Sequence, residues 1–175
     1  KMEYLTYEEI ISLKEAQCDN LTLKRAFLFS CLTGLRFSDV SRFTWRDVSF
    51  KNGRHYIDFR QLKTNYLQDI PIAQDALSLM GDRLKNDIKV FGGLKYSSNM
   101  SYQLQRWMLD ANITKKITFH CSRHTYAYLS LSNGVDLFTL SKMLGHKNIK
   151  TTMCYAKFDQ TMQHKAVDAL PTFGF

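Results

Sequence analysis

The sequence predicts an α+β fold that is mostly α-helical and contains a small three-stranded antiparallel sheet. Apolar residues recur at helical spacing on both sides of residues 47–72. Within residues 47–72, short β-prone runs flank an Asn52-Gly53 pair, which is a strong hairpin signal. The chain has 175 residues and shows neither a repeat nor a linker-like stretch, so we expect a single domain.

Capping residues and glycines predict where the helices begin and end. Thr6 with Glu9 forms a capping-box signal, and Ser38 and Asp136 are further candidate N-caps. Glycine is expected to end the helix that carries the longest apolar pattern, at Gly34. Helices are predicted around residues 7–13, 21–32, 38–43, 76–84, 104–111, 119–133, 137–144, 149–157 and 161–170.

The predicted sheet lies in the middle of the chain. Residues 47–50 and 55–59 form the hairpin around Asn52-Gly53, and residues 67–72 form a third strand. The second and third strands are joined by a short polar segment that contains Lys63. We therefore expect Lys63 to lie on or beside the tip of a β-hairpin.

Composition restricts the classes of function that need to be considered. Hydrophobic residues make up 45% of the chain, and no apolar run approaches the ~20 residues that cross a bilayer. The polar beginning of the sequence is unlike a signal peptide. Four cysteines without a CxxC pair indicate reduced thiols. With 24 Lys and Arg against 16 Asp and Glu, the net charge is +8, which favours a polyanionic partner such as nucleic acid.

The densest polar cluster covers residues 120–124. On a helix, His120 and Arg123 share one face, and His124 lies one turn from His120. Apolar residues on both sides of the cluster make Arg123 a half-buried cation, which usually needs an anionic partner. The alternative is a helix start with solvated charges.

A zinc site is the other chemistry that these residues suggest. The i, i+4 spacing of two histidines suits zinc, but the chain has no HExxH and no paired-cysteine motif, and Arg123 would place a cation beside the metal. We therefore expect no metal. The potential ligands considered were His120, Cys121, His124, His146 and Cys154.

Three other positions could carry chemistry, although each has an ordinary structural explanation. Arg36 follows the Gly34 turn just before a helix, where a guanidinium and backbone donors suit a phosphate. Asp39 could hold this loop or Arg36 in place, or form an ordinary surface ion pair. His146 is fixed by the turn after a helix, yet alone it resembles a surface histidine. Tyr155 would need a proton acceptor and nearby cations to act as a nucleophile.

Taken together and in order, these positions are similar to the signature of the tyrosine recombinases, the phage-integrase-like enzymes of DNA strand exchange. The surrounding segments also resemble that family, namely TGLRFSDV, QLKT followed by IPIA, HCSRHTYAYL and LGHKNIKTTMCYAK. Two small departures are Asp39, where family members often have Glu, and Ser122, where many have Leu. The matching residues are Arg36, Lys63, His120, Arg123, His146 and Tyr155.

The resemblance spans almost the whole chain and implies a catalytic domain over residues 1–175. Family members usually carry a helical core-binding domain ahead of this one, so the chain resembles an isolated catalytic domain. The resemblance further implies that a C-terminal segment, residues 158–175, docks on a neighbouring subunit. The bland alternative is that this segment folds back on its own domain.

The resemblance implies covalent catalysis on DNA. Tyr155 would attack the scissile phosphate, giving a 3′-phosphotyrosyl bond and a free 5′-hydroxyl, which a second strand's 5′-hydroxyl later reverses. Lys63 would protonate the leaving 5′-oxygen. His120 would act as a base toward Tyr155 or orient the site, and the sequence does not separate these two roles.

The same resemblance implies that the phosphate is held by side chains alone. Arg36 and Arg123 would bind its non-bridging oxygens, where charge builds in the transition state, and His146 would donate a further hydrogen bond. The arginines would take the part that Mg²⁺ plays in many nucleases, so no metal and no cofactor are expected.

The expected partner is double-stranded DNA, bound as a homo-tetramer on paired sites, with a monomer or weak oligomer in the free state. The expected location is cytoplasmic and nucleoid-associated, in a prokaryotic or mobile-element context. The alternatives are a type IB topoisomerase-like enzyme, which shares the chemistry, and a non-catalytic basic DNA-binding module.

Overall fold

The structure is a computed structural model that describes residues 2–158 and 167–174. It confirms the mostly helical α+β fold. The chain divides into two compact units, residues 1–126 and 127–175, with the division inside the sixth helix. The helices are α1 (Tyr7–Glu15), α2 (Leu21–Thr33), α3 (Phe37–Val40), α4 (Gln74–Met80), α5 (Ser98–Asp110), α6 (Cys121–Ser132) and α7 (Leu137–Met143).

The sheet forms as the sequence predicts. Strands β1 (Val48–Lys51), β2 (Arg54–Arg60) and β3 (Leu67–Pro71) are antiparallel and lie in the order β1-β2-β3. Lys51 pairs with Arg54, so the first turn contains only Asn52 and Gly53, whose φ angles are 53° and 72°. Two successive positive φ values define the turn that matches the twist of paired strands, which is why this dipeptide fixes the register.

Helix α2 supplies the centre of the first unit's core. Phe27 makes edge-on contacts with Trp107 of α5 and with Phe119, at centroid distances of 5.9 and 5.6 Å. Phe29, two residues later and so on a different face of α2, stacks on Phe43 at a centroid distance of 5.5 Å. All of these rings are buried, so α2 has apolar contacts on several sides and ends inside the unit. The predicted site residues that follow α2 therefore start from a well-buried support.

The second unit contains α7 and a compact turn after it. Asp136 caps α7 by accepting a hydrogen bond from the backbone N–H of Thr139, as predicted. Gly145 has φ 64° and donates to Lys142, while the N–H of His146 donates to the carbonyl of Ser141. This pair of bonds is the Schellman arrangement, which satisfies the last carbonyls of a helix.

Two details of the helix prediction are wrong. Ser38 lies inside α3 and does not cap it; the cap position is Arg36, whose side chain makes no capping hydrogen bond. Residues 149–157 do not form an α-helix. They form two 3-10 segments, Ile149–Thr151 and Met153–Phe158, with Thr152 between them. The backbone N–H groups of Thr152 and Tyr155 donate to carbonyls three residues earlier.

Two further predictions concern the ends of elements. Leu84, placed on the apolar face of the helix at residues 76–84, lies beyond α4 and is exposed. The predicted helix at residues 161–170 lies mostly outside the described residues. Within the described part of the chain, no helix has the length and apolar character needed to cross a membrane.

Candidate functional site

The turn at Gly34 connects two arginines that are 87 residues apart in the sequence. Gly34 ends α2 with φ 70°, a conformation that glycine adopts without steric cost. Its carbonyl oxygen accepts a hydrogen bond of 2.6 Å from Nη1 of Arg123, a side chain that is only 3% exposed. Arg36 follows two residues later at the start of α3. The backbone of this turn thus fixes the buried guanidinium beside the loop that carries the second one.

A buried pair of hydroxyl groups joins helices α2 and α6. Ser30 of α2 and Ser122 of α6 lie with their Oγ atoms 2.6 Å apart. The Ser30 hydroxyl is also 2.7 Å from the carbonyl of Leu35, and the Ser122 hydroxyl is 2.5 Å from that of Phe119. Two hydroxyl protons serve three short contacts, so the pair donates two hydrogen bonds at any time. Ser122 therefore has a specific polar partner.

Lys63 lies on the connection between β2 and β3, as predicted, and is exposed. The backbone N–H of Gln61 donates to Tyr66 and that of Asn65 donates to Gln61, at 3.0 and 2.9 Å, which closes the turn around Lys63. Asn65 adopts φ 53°, a conformation that asparagine tolerates better than most residues. The tip that carries Lys63 is therefore a closed turn.

Asp39 anchors this turn from α3. Its side chain is fully buried, and Oδ1 accepts a hydrogen bond of 3.0 Å from the backbone N–H of Leu62. The same oxygen lies 3.4 Å from Nη2 of Arg42. The sequence suggests that Asp39 holds its own loop or Arg36, or forms a surface ion pair. The buried carboxylate instead holds the loop that bears Lys63, and the cation beside it is Arg42.

A buried glutamine links Arg36 to the same turn. Oε1 of Gln61 accepts hydrogen bonds from Nη1 of Arg36, at 2.8 Å, and from Oγ1 of Thr64, at 2.7 Å. Its Nε2 donates to Oε1 of Gln68 on β3. Sequence reasoning missed Gln61, because an amide in a polar turn has no signal of its own until the loop after α2 is placed against it.

His120 lies among three positively charged side chains. The pKa of His120 is below its ordinary value, first because its ring is partly buried and then because nearby positive charges disfavour protonation. In decreasing order, these charges belong to Arg123, Arg36 and Lys63. The ring of His124 stands perpendicular to that of His120 at a centroid distance of 4.7 Å. The first unit thus brings four of the six predicted site residues together.

The other two predicted site residues belong to the second unit. Nδ1 of His146 is 2.7 Å from Oγ1 of Thr152, a fully buried residue, so a hydrogen bond fixes the ring in addition to the turn after α7. Tyr155 lies in the second 3-10 segment, is 3% exposed and stacks on Phe158 at a centroid distance of 6.3 Å. The sequence contains no pattern that would have identified Thr152 as the partner of His146.

This arrangement can bind an anion without a metal ion. The partly buried ring of His120 lies near two guanidinium groups and an ammonium group. Together these cations create a positive potential that favours binding of a phosphate. A neutral imidazole in the same place can accept or donate one proton. In the described ranges, 2–158 and 167–174, no three His, Cys, Asp or Glu side chains gather as metal ligands would.

Comparison with solved structures finds the same fold in an integrase catalytic domain and in a site-specific recombinase. The catalytic domain of bacteriophage HP1 integrase matches with a TM-score of 0.71 and 24% identity, over 99% of this chain and 98% of that one. The site-specific recombinase XerH, solved bound to its difH substrate as a pre-cleavage complex, matches with a TM-score of 0.72 and 19% identity, over 97% of this chain and 55% of that one.

Sequence comparison gives the same answer. Tyrosine recombinase XerC of Chlamydia trachomatis is 26% identical over 94% of this chain and 56% of the relative. The integrase of Escherichia phage P2 is 28% identical over 98% of this chain and 48% of the relative, so the chain spans about half the length of these curated relatives. The model of the phage integrase family matches residues 2–162. The chain therefore belongs to the phage integrase family, whose curated relatives include tyrosine recombinases.

Proposed function

We propose that the chain cleaves and rejoins DNA strands as a site-specific recombinase, through a 3′-phosphotyrosyl intermediate at Tyr155. The observation that carries this proposal is that hydrogen bonds join Arg123 to the Gly34 turn and, through Gln61, Arg36 to the turn that carries Lys63. His120 lies near all three cations, and its pKa is lowered first by burial and then by their charges. Three cations complement the negative charge that builds on a phosphodiester in its transition state. The chemistry needs no cofactor, because the energy of the broken bond is kept in the protein–DNA link.

The two arginines are proposed to bind the non-bridging oxygens of the scissile phosphate. Negative charge grows on these oxygens as Tyr155 attacks, and guanidinium groups held in place beforehand stabilise it at no cost of reorganisation. Arg123 is suited to this role by its burial and its bond to Gly34, and Arg36 by its bond to Gln61. His146 would donate a further hydrogen bond through Nε2, since its Nδ1 already faces Thr152.

Proton transfer is assigned to Lys63 and His120. Lys63 would protonate the 5′-oxygen as it leaves, and its exposed position on a closed turn would let it reach DNA. His120 would take the phenolic proton or orient the site. Its lowered pKa supports a neutral imidazole near pH 7, which is the form required of a base.

Tyr155 must gain access to DNA before it can react. A nucleophile has to approach phosphorus to about 3 Å, and a tyrosine that is 3% exposed offers little surface for this approach. We therefore propose that the 3-10 segment Met153–Phe158 moves when DNA binds, so that the phenol and the cations meet the same phosphodiester. The attacking tyrosine could come from the same protomer or from a neighbouring one.

The proposed partner is double-stranded DNA. The net charge of +8 favours a polyanion, and the structurally similar XerH was solved with its difH DNA substrate. Exchange between two duplexes requires four strand cleavages, so we propose a homo-tetramer on paired sites. Residues 167–174 present Val167, Leu170 and Phe173, each at least 66% exposed, as candidate anchors for a neighbouring subunit. The rest of the proposed docking segment, residues 159–166 and residue 175, lies outside the described residues.

The test is covalent capture of DNA. A pool of nicked duplexes with a randomised scissile region would be incubated with the chain and screened for denaturation-resistant protein–DNA products. The wild-type chain should form such a product, and Tyr155→Phe should bind the same DNA without forming it. Tyr128→Phe, which removes the same hydroxyl from another ring near Phe158, is the matched control and should retain capture. Equal capture by Tyr155→Phe would refute the assignment of the nucleophile.

A further inference from the structure

Arg36 and Lys63 act on the same phosphodiester in the proposed function, yet they belong to separate elements. Arg36 lies at the N-cap position of α3, and Lys63 lies on the turn between β2 and β3. A phosphate-binding group and a proton donor lose most of their value when their relative position varies by about 1 Å. The structure should therefore contain a contact that fixes one to the other.

Gln61 is the residue that makes this contact. Its side chain is 1% exposed, and its Oε1 accepts hydrogen bonds from Arg36, at 2.8 Å, and from Thr64, at 2.7 Å. Because a guanidinium can only donate, the amide oxygen must face Arg36 and the amide nitrogen must face away from it. That nitrogen donates to Gln68 on β3, so the orientation of the amide is fixed at both ends.

The backbone of Gln61 also forms the base of the turn. Its N–H donates to Tyr66 and its carbonyl accepts from Asn65, at 3.0 and 2.9 Å. Lys63 lies between these closing bonds, and Thr64 is its direct neighbour. A displacement of the Gln61 side chain is thus a displacement of both the Arg36 guanidinium and the turn that carries Lys63.

A neutral amide suits this position better than a carboxylate would. A carboxylate facing Arg36 would form an ion pair and compete with the phosphate for the guanidinium. The amide oxygen accepts a hydrogen bond from one N–H of Arg36 without cancelling the charge of the guanidinium.

We propose that Gln61 is a positioning residue that joins Arg36 to the Lys63 turn, so that phosphate binding and protonation of the leaving group act as one unit. This inference rests on the proposed function, because it assumes that Lys63 is the proton donor. It adds a residue to that function, since Gln61 touches neither the phosphate nor the reacting oxygens.

The test compares two DNA substrates that differ in one atom. Both carry a cleavage site selected with the wild-type chain by covalent capture, and one has sulfur in place of the bridging 5′-oxygen. A thiolate leaves without being protonated, because a thiol has a pKa near 8.5 and an alcohol has a far higher one. Loss of the proton donor therefore slows cleavage of the oxygen substrate much more than cleavage of the sulfur substrate.

Single-turnover cleavage would be measured for Gln61→Met, which keeps the length and volume of the side chain and removes its hydrogen bonds. We expect it to lower the rate on the oxygen substrate by about 10- to 100-fold, part of the ~10²–10⁴-fold that a general acid provides. The loss on the sulfur substrate should be at least about tenfold smaller. Gln103→Met is the matched control, because it removes a half-buried amide of α5 whose oxygen accepts a hydrogen bond from Asn20, and we expect it to stay within about threefold of wild type.

Thermal unfolding would show whether Gln61→Met folds, and a second variant tests the proposal if it does not. Thr64→Val removes one hydroxyl from a partly exposed turn and deletes the other hydrogen bond to Oε1 of Gln61. It should show the same oxygen-selective loss, at a smaller size. Equal losses on the two substrates would mean that Gln61 does not position the proton donor, and a loss no larger than that of Gln103→Met would mean that it positions neither group. Either result would overturn the proposal.

The failure of the proposed function would look different. If Lys63 is the proton donor, Lys63→Ala should cleave the oxygen substrate slowly, and its cleavage rate should be restored on the sulfur substrate. If sulfur does not restore Lys63→Ala, the donor has been assigned wrongly, whatever the Gln61 variant does. If sulfur restores Lys63→Ala but makes no difference to Gln61→Met, the proposed function stands and the role of Gln61 is refuted.

Discussion

Replacing Arg123 with lysine separates the shape of the guanidinium from its charge. Arg123 is 3% exposed, and Nη1 donates to Gly34 at 2.6 Å. A planar guanidinium can donate in several directions at once, so the same group is proposed to bind the phosphate as well. Lysine keeps the positive charge but has a single compact ammonium group. It can approach the Gly34 carbonyl or the phosphate, and we expect it not to satisfy both.

Two magnitudes follow from this geometry. A hydrogen bond from a charged donor to a buried carbonyl stabilises a protein by about 1.5–3 kcal/mol, so Arg123→Lys should lower the free energy of unfolding by up to that amount. Loss of one well-placed donor to the charged transition state should slow cleavage by about 10²–10³-fold, or about 2.7–4 kcal/mol. The loss of transition-state stabilisation should therefore be at least as large as the loss of free energy of unfolding.

The assay pairs urea unfolding with single-turnover formation of the covalent DNA product. Arg46→Lys, the same substitution at an exposed arginine, is the matched control and should leave both quantities within about 0.5 kcal/mol of wild type. If Arg123→Lys keeps more than half of the wild-type cleavage rate while remaining folded, the fork geometry of the guanidinium is not required and the reasoning about the phosphate site is wrong.

Three further predictions test the surroundings of the site. Because the pKa of His120 is lowered on folding, the unfolded chain takes up this proton at a higher pH than the folded chain, so the free energy of unfolding should fall as pH drops below 6.5. Urea titrations at several pH values would measure this fall, and His120→Gln should lose the part of the pH dependence that His120 causes. Ser30→Ala and Ser122→Ala should each cost about 1–3 kcal/mol, and their double mutant should cost less than the sum, because the pair shares its protons; additive costs would contradict the coupling. Asp39→Ala should speed amide hydrogen exchange at the turn that Asp39 anchors, and unchanged exchange at Leu62 would show that the bond is not needed there.

The elements whose ends are set by local chemistry could be predicted from the sequence. The capping box of Thr6 and Glu9 begins α1, Gly34 ends α2 with a positive φ, and Asn52-Gly53 makes the two-residue turn between β1 and β2. In each case neighbouring residues decide the conformation, so no knowledge of the tertiary structure is needed.

The failures have a common physical reason. Ser38 is a good capping residue, but the turn at Gly34 starts α3 earlier and leaves Ser38 inside the helix. Residues around Tyr155 have helical spacing, yet their backbone bonds run over three residues, a choice that local propensity does not determine. Both outcomes depend on the path of the chain in the tertiary structure, which the neighbouring residues alone do not determine.

The contacts that assemble the site depend on residues far apart in the sequence. The bond from Arg123 to Gly34 spans 89 residues, and that from Arg36 to Gln61 spans 25. The order of the charged residues in the sequence, together with a family resemblance, identified the groups that are proposed to bind phosphate. The carbonyl and amide that hold these groups became visible only in three dimensions.

The most direct measurement of the central claim is the position and polarity of the covalent bond to DNA. Nicked duplexes labelled at either end of the cleaved strand would be captured, digested with protease and mapped by mass spectrometry. We predict that the DNA remains attached through a 3′-phosphate to the peptide that contains Tyr155, and that the released strand carries a 5′-hydroxyl. Attachment at another residue, or through a 5′-phosphate, would contradict the proposed mechanism.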